Sequence, residues 1–154
     1  MNYEKLLDEA TSNDVYVIEN ANFESSSDGL INKDVIGLNK NIKTTTKRAC
    51  VLAEELGHYH TSHGNIIDMR QIINRKQERK ARLWGYNRLI GLYGLIKAFE
   101  GGCSSKHEIA DYLGVTEDYL EEAIKCYSEK YGEGKGIDNY YVMFEPRLKI
   151  LKMI

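Results

Sequence analysis

The segment Leu52-Ala53-Glu54-Glu55-Leu56-Gly57-His58 decides how this chain is read. Ala49, Val51, Leu52, Ala53 and Leu56 recur at helical spacing behind the N-cap candidates Thr44, Thr45 and Thr46, so the pattern predicts a helix stopped near Gly64. Positions four apart sit one turn above each other, which points Glu54 and His58 the same way. Glu55 lies about 100° further round, where it would face a metal-bound water rather than the metal. This is the layout of HExxH, in which two histidines at i and i+4 bind zinc and the intervening glutamate is the general base. Here Glu54 stands where the first histidine would be. A carboxylate also ligates zinc, at about 2.0–2.2 Å, and an oxygen-richer donor set accepts other divalent metals more readily. Taken alone, the segment has a second reading, a solvated acidic helix face with a chance histidine. His60 and His63 are either further ligands or surface residues, and Cys50 reads as a small buried hydrophobe.

Working outward, Leu6, Leu7 and Ala10 give Asn2–Ala10 the pattern of a short amphipathic helix. Val15-Tyr16-Val17-Ile18, Leu30-Ile31 and Asp34–Asn39, punctuated by the turn cluster Ser25–Gly29, predict a small antiparallel sheet of about three strands. Downstream, a long helical pattern runs from Asn74 toward Phe99, with a bend expected at Gly91 or Gly94 and an end at Gly101-Gly102. Two shorter helices follow, Lys106–Leu113 capped by Ser104/Ser105 and a second from Thr116 to about Tyr131, joined through Gly114-Val115. Gly132–Gly136 reads as a flexible loop and Tyr140–Phe144 as a strand ended by Pro146. The fold class is α+β. Residues 1–100 are assigned to a core with a metal-binding helix, and residues 101–154 to a helix-turn-helix-like extension with a C-terminal strand.

Composition excludes several classes. The chain has 154 residues, 42% hydrophobic and 29% charged, which is ample for a packed core and unlike a disordered chain. The best apolar run, Leu89 to Phe99, is about half the ~20 residues of a membrane span. The acidic start MNYEKLLDEA lacks the basic and apolar regions of a secretory signal, so the cytoplasm is expected. Three widely spaced cysteines without CxxC read as reduced thiols. Residues 1–64 carry 6 Lys/Arg against 10 Asp/Glu, 65–100 carry 8 against 3, and 101–154 carry 7 against 10, giving −4, +5 and −3. Seven of the middle cations lie between Arg70 and Arg88, either a solvated helix face or a stripe for an anionic partner.

The blocks CVLAEELGHYHTSHGNI, NRKQERKARLWGYNRLIGLYGLI and HEIADYLGVTEDYLEEAIKCYSEKYG, in that order and spacing, resemble phage and mobile-element members of the ImmA/IrrE metallo-endopeptidase family. The resemblance covers about residues 13–132. It implies a small zincin with a three-stranded sheet, a metal-binding helix and a third ligand on the next long helix, which maps to Glu78 in NRKQERKAR. Without the resemblance, Glu78 is a surface carboxylate among Arg75, Lys76, Arg79 and Lys80. The implied assignment is a metal, Zn²⁺ or another divalent ion, on Glu54, His58 and Glu78, with Glu55 catalytic. The implied substrate is a helix-turn-helix repressor of the same phage or element, cut to release the genes it silences.

Two rival readings stand beside this one. A protein with the same site could bind its repressor without cutting it. Alternatively, His107–Thr116 and the helix after it could be a DNA-binding helix-turn-helix. The second helix of that unit carries Glu117, Asp118, Glu121, Glu122 and Glu129 against Lys125 and Lys130. A duplex presents a negative charge every ~1.7 Å, so direct DNA binding is not expected there.

Overall fold

A computed structural model describes residues 2–62 and 72–153. The chain divides into two compact units, Met1–Gly85 and Tyr86–Ile154.

In the first unit, α1 (Asn2–Ser12) buries Tyr3, Leu6 and Ala10, the one-face spacing of an amphipathic helix. The sheet consists of β1 (Tyr16–Ala21), β2 (Gly29–Asn32) and β3 (Val35–Asn39) in the order β1-β3-β2. Its size is as expected, but its pairing is mixed. β2 and β3 form an antiparallel hairpin, whereas β1 runs parallel to β3 with Tyr16 opposite Val35. The reason lies in the connections. Lys33, at φ 57°, lets the chain reverse tightly between β2 and β3. Residues 22–28 instead carry it back across the sheet, and β2 is itself part of the crossover that parallel neighbours need. Ile36 and Leu38, fully buried, face the helices, and β2 is left as an edge.

α2 (Thr45–Thr61) begins where the threonines place it, with the Thr44 hydroxyl accepting from the Lys47 N–H at 3.1 Å. It ends at Thr61 with Ser62 as cap, short of Gly64, which lies outside the described residues. Ala49, Cys50, Leu52, Ala53 and Leu56 are buried, and α2 packs on α1, β2 and β3. Arg48 donates to the carbonyl of Glu19 at 2.6 Å and to that of Ile42 at 3.2 Å, tying the helix start to β1 and to the chain after β3. α3 (Ile72–Leu89) crosses α2 at one point of very close approach. A Cβ on Gly57 would sit 2.9 Å from the carbonyl carbon and 3.2 Å from the Cα of Ala81, and nearer still to the carbonyl oxygen. Ala81 is fully buried there.

The long helical pattern breaks at Gly91, whose φ of +65° no L-residue adopts readily, and resumes as α4 (Gly91–Glu100). In the second unit α5 (Lys106–Leu113) is capped by Ser105 and ended by Gly114 at φ 70°, and α6 (Glu117–Tyr131) is capped by Thr116. Leu95, Ala98, Leu120, Ala123, Tyr127 and Val142 are fully buried and form its core. Two features depart from the sequence reading. The glycine-rich segment expected to be a flexible loop supplies β4 (Gly134–Ile137), paired antiparallel with β5 (Tyr140–Met143), and β6 (Lys149–Lys152) completes a sheet in the order β4-β5-β6. A Cβ on Gly134 would lie within 2.7 Å of the Tyr141 ring, so any side chain there would displace that ring. The missing side chain makes room for an aromatic cross-strand neighbour, which composition alone reads as flexibility.

Among the described residues no helix is long and apolar enough to cross a membrane. Arg75, Lys76, Arg79, Lys80, Arg82 and Arg88 are all exposed, which both readings of the basic stretch require, and Arg70 lies outside the described residues.

Candidate metal centre

The helical turn of α2 brings Glu54 and His58 onto one face, and the close α2–α3 crossing at Gly57 and Ala81 lays Glu78 over them. One ligand atom from each of Glu54, His58 and Glu78 lies within 4.8 Å of the other two. His58 Nε2 stands 3.1 Å from Glu78 Oε2. Two ligand atoms sharing a tetrahedral zinc at about 2.0–2.2 Å lie roughly 3.3–3.6 Å apart, so His58 and Glu78 already stand near the separation of two ligands of one ion. The donor set, one imidazole and two carboxylates, suits a divalent cation. His58 Nδ1 is buried with no hydrogen-bond partner among the described residues, leaving the ring held through Nε2.

Glu55 points into the same region. Its side chain is 8% exposed, and the chain of β2 passes against it: a Cβ on Gly29 would lie 3.0 Å from Glu55 Cγ. Burial pushes the Glu55 carboxyl up to about 7, with Glu54 and Glu78 adding to the rise and His58 partly offsetting it. Burial also raises Glu54, against the pull of Arg82. For His58 burial acts downward, but the Glu78 hydrogen bond and the three surrounding carboxylates outweigh it and hold the imidazole above its ordinary range. The hydrogen bond from His58 draws Glu78 down. Three carboxyl groups around one imidazole form an anionic pocket, as a cation site requires.

The cleft over these residues has a volume of about 880 Å³. One wall is the β2 edge and its flanks, Ser27 and Gly29 through Asp34; the other is Glu54, Glu55, His58, Tyr59 and Ser62 of α2 and its cap, with Glu78 of α3. His60 takes no part, since its ring stacks on Trp84 with centroids 4.7 Å apart. His63 lies outside the described residues. Cys50 is buried, one turn away from Glu54.

Two residues of this region are given no role in the site by the sequence reading. Gly57 sets the helix separation, and nothing in the local pattern distinguishes it from a tolerated helical glycine. Arg82 places its Nε 3.4 Å from Glu54 Oε1 and 3.2 Å from Glu78 Oε1. Its spacing of four from Glu78 was legible as a helical ion pair, but its reach to Glu54 required the fold.

In the second unit, the acidic helix α6 is tied to α5 by an ion pair of Lys106 with Glu121 at 3.6 Å and a hydrogen bond between His107 Nδ1 and Glu117 at 3.4 Å.

A peptidase family model described as the IrrE N-terminal-like domain matches residues 2–125. No curated protein and no solved structure matches the chain.

Proposed function

Since this chain belongs to the IrrE N-terminal-like peptidase family, a metallopeptidase family, we propose that it is an endopeptidase that cleaves a repressor protein of the same phage or mobile element. The observation that carries the proposal is the convergence of Glu54, His58 and Glu78 beside the buried carboxyl of Glu55. Glu54, His58 and Glu78 would hold the ion, Zn²⁺ by the family pattern. When bound, the ion supplies Lewis acidity to the scissile carbonyl and to the attacking water.

The chain's own residues do the rest. Glu55, with an affinity for protons balanced near neutrality, accepts the proton of the attacking water and returns it to the nitrogen of the leaving amine. The β2 edge offers unpaired backbone groups along one wall of the cleft, so an extended substrate segment adds there as a further strand. The nearness of Gly29 to Glu55 brings that segment's backbone next to the base. The cytoplasm, where a repressor would be met, is the compartment this reading requires.

The test is to incubate the protein with the repressor encoded beside it, with and without chelator, and read the products by mass spectrometry. Wild type should yield fragments that chelator abolishes. Glu55→Gln should bind the ion yet yield none, because the amide keeps the shape and cannot take a proton. Intact repressor under zinc, manganese and cobalt alike, with binding retained, would refute cleavage and leave a non-cutting binder.

A further inference from the structure

Arg82 sits where two helices present carboxylates to each other. Its Nε is 3.4 Å from Glu54 Oε1 on α2 and 3.2 Å from Glu78 Oε1 on α3. The other oxygen of Glu78 lies 3.1 Å from His58 Nε2. One guanidinium nitrogen thus contacts both carboxylates, and on Glu78 it takes the oxygen that His58 does not. In the HExxH pattern position 54 would be a neutral imidazole, so a divalent ion with two histidines and one glutamate leaves a local charge of +1. With Glu54 in that place the same sum is zero, and Arg82 brings it back to +1.

We infer that Arg82 is a positioning residue that compensates for the carboxylate at position 54: it holds Glu54 and Glu78 together and balances the charge that Glu54 adds to the site. This rests on the reading of Glu54, His58 and Glu78 as ligands. Two carboxylates sharing a site repel each other, and a cation bridging them relieves that repulsion and fixes their direction. The same cation opposes an incoming divalent ion. The two actions balance only while both carboxylates are present. Replace Glu54 by a neutral ligand and half the bridging is gone, while the opposition to the ion stays.

The prediction is therefore one of coupling. Apparent zinc affinity is measured by competition with a chromogenic chelator for wild type, Glu54→His, Arg82→Gln and the double variant. Removing Arg82 should improve zinc affinity at least tenfold more in the Glu54→His background than in the wild-type background, a coupling of about 1.4 kcal/mol. Arg82→Lys keeps the charge, so with Glu54→His it should bind zinc as weakly as Glu54→His alone. Circular dichroism melting reports whether each variant folds; should Arg82→Gln fail to fold, the Lys series and Arg82→Met carry the comparison.

Equal fold-changes in the two backgrounds, within a factor of three, would overturn the compensation by showing Arg82 and Glu54 to be independent. If wild type binds no zinc, manganese or cobalt above the level of Glu78→Ala, the metal reading itself falls and the inference with it. The two failures are told apart by the wild-type titration.

Discussion

Replacing Gly57 by alanine sets two effects of opposite sign against each other. Intrinsic helix propensity favours alanine over glycine by roughly 0.5–1 kcal/mol, so on an isolated helix the change would stabilise. In this fold the new methyl would stand 2.9 Å from the carbonyl carbon of Ala81 and 3.2 Å from its Cα. Carbon atoms at rest are about 3.5–4.0 Å apart, and the atoms met are backbone, so no side chain can turn aside. The α3 segment must retreat from α2 by about 1 Å, an overpacking that costs typically 1–3 kcal/mol and outweighs the propensity gain.

Glu78 lies one turn before Ala81 on α3 and moves with it. A ligand set tolerates about ±0.2 Å in its bond lengths, so a shift of that size takes Glu78 out of register with His58, now 3.1 Å away. Metal affinity should fall at least tenfold, within the 10–100-fold range seen when the support of a metal ligand is disturbed. The thermal midpoint should fall too, and the rise in midpoint on adding zinc should shrink. Chelator competition and calorimetry on the same samples read both. A Gly57→Ala protein that binds zinc within twofold of wild type and melts at or above it would refute the account of the helix crossing.

Other outcomes follow from the same structure. In chelator-treated protein, Glu55 is raised to about 7, so its contribution to stability is complete below its ordinary carboxyl range and is lost as pH rises through about 7. His58, also raised, acts in the same direction, while Glu78, lowered, adds stability that is already complete above its ordinary range. The melting midpoint of the metal-free protein should therefore drop between pH 5 and pH 8, and Glu55→Gln should flatten the curve; an unchanged slope would reject burial as the cause. Zinc at 100 times its Kd should raise stability by about 2.7 kcal/mol in wild type and much less in Glu78→Ala, as differential scanning fluorimetry would show. Thr44→Ala removes the hydroxyl that caps α2 and should cost about 1 kcal/mol in urea unfolding, with Thr44→Ser close to neutral. Gel-shift assays at moderate salt should find no tight duplex binding through α6, and none that responds to neutralising Lys125 or Lys130.

Most of the elements were legible because they rest on local rules. Thr44, Ser105 and Thr116 cap helices that start where a hydroxyl can accept from the third residue on, and that test needs only neighbours in sequence. Glu54 and His58 share a face for the same reason, since helical periodicity couples residues four apart whatever surrounds them. Pairing direction was beyond reach. Strand patterns in Tyr16–Ala21 and Val35–Asn39 mark strands but carry no sign of parallel or antiparallel partnership, which the path of the intervening chain decides. The strand at Gly134–Ile137 was hidden because Gly134 makes room for the ring of Tyr141, seven residues away across a hairpin.

By itself, then, the sequence put Glu54, Glu55 and His58 on one helix, and the family resemblance pointed to Glu78 as the residue to meet them. Tertiary structure decided how they come together. Glu78, twenty residues beyond His58, enters only because Gly57 lets the backbone of α3 come within contact of α2, and Arg82 reaches Glu54 only across that same crossing. Distances between helices depend on which atoms are missing from the contact as much as on those present. A single absent methyl leaves no periodicity for a pattern to register.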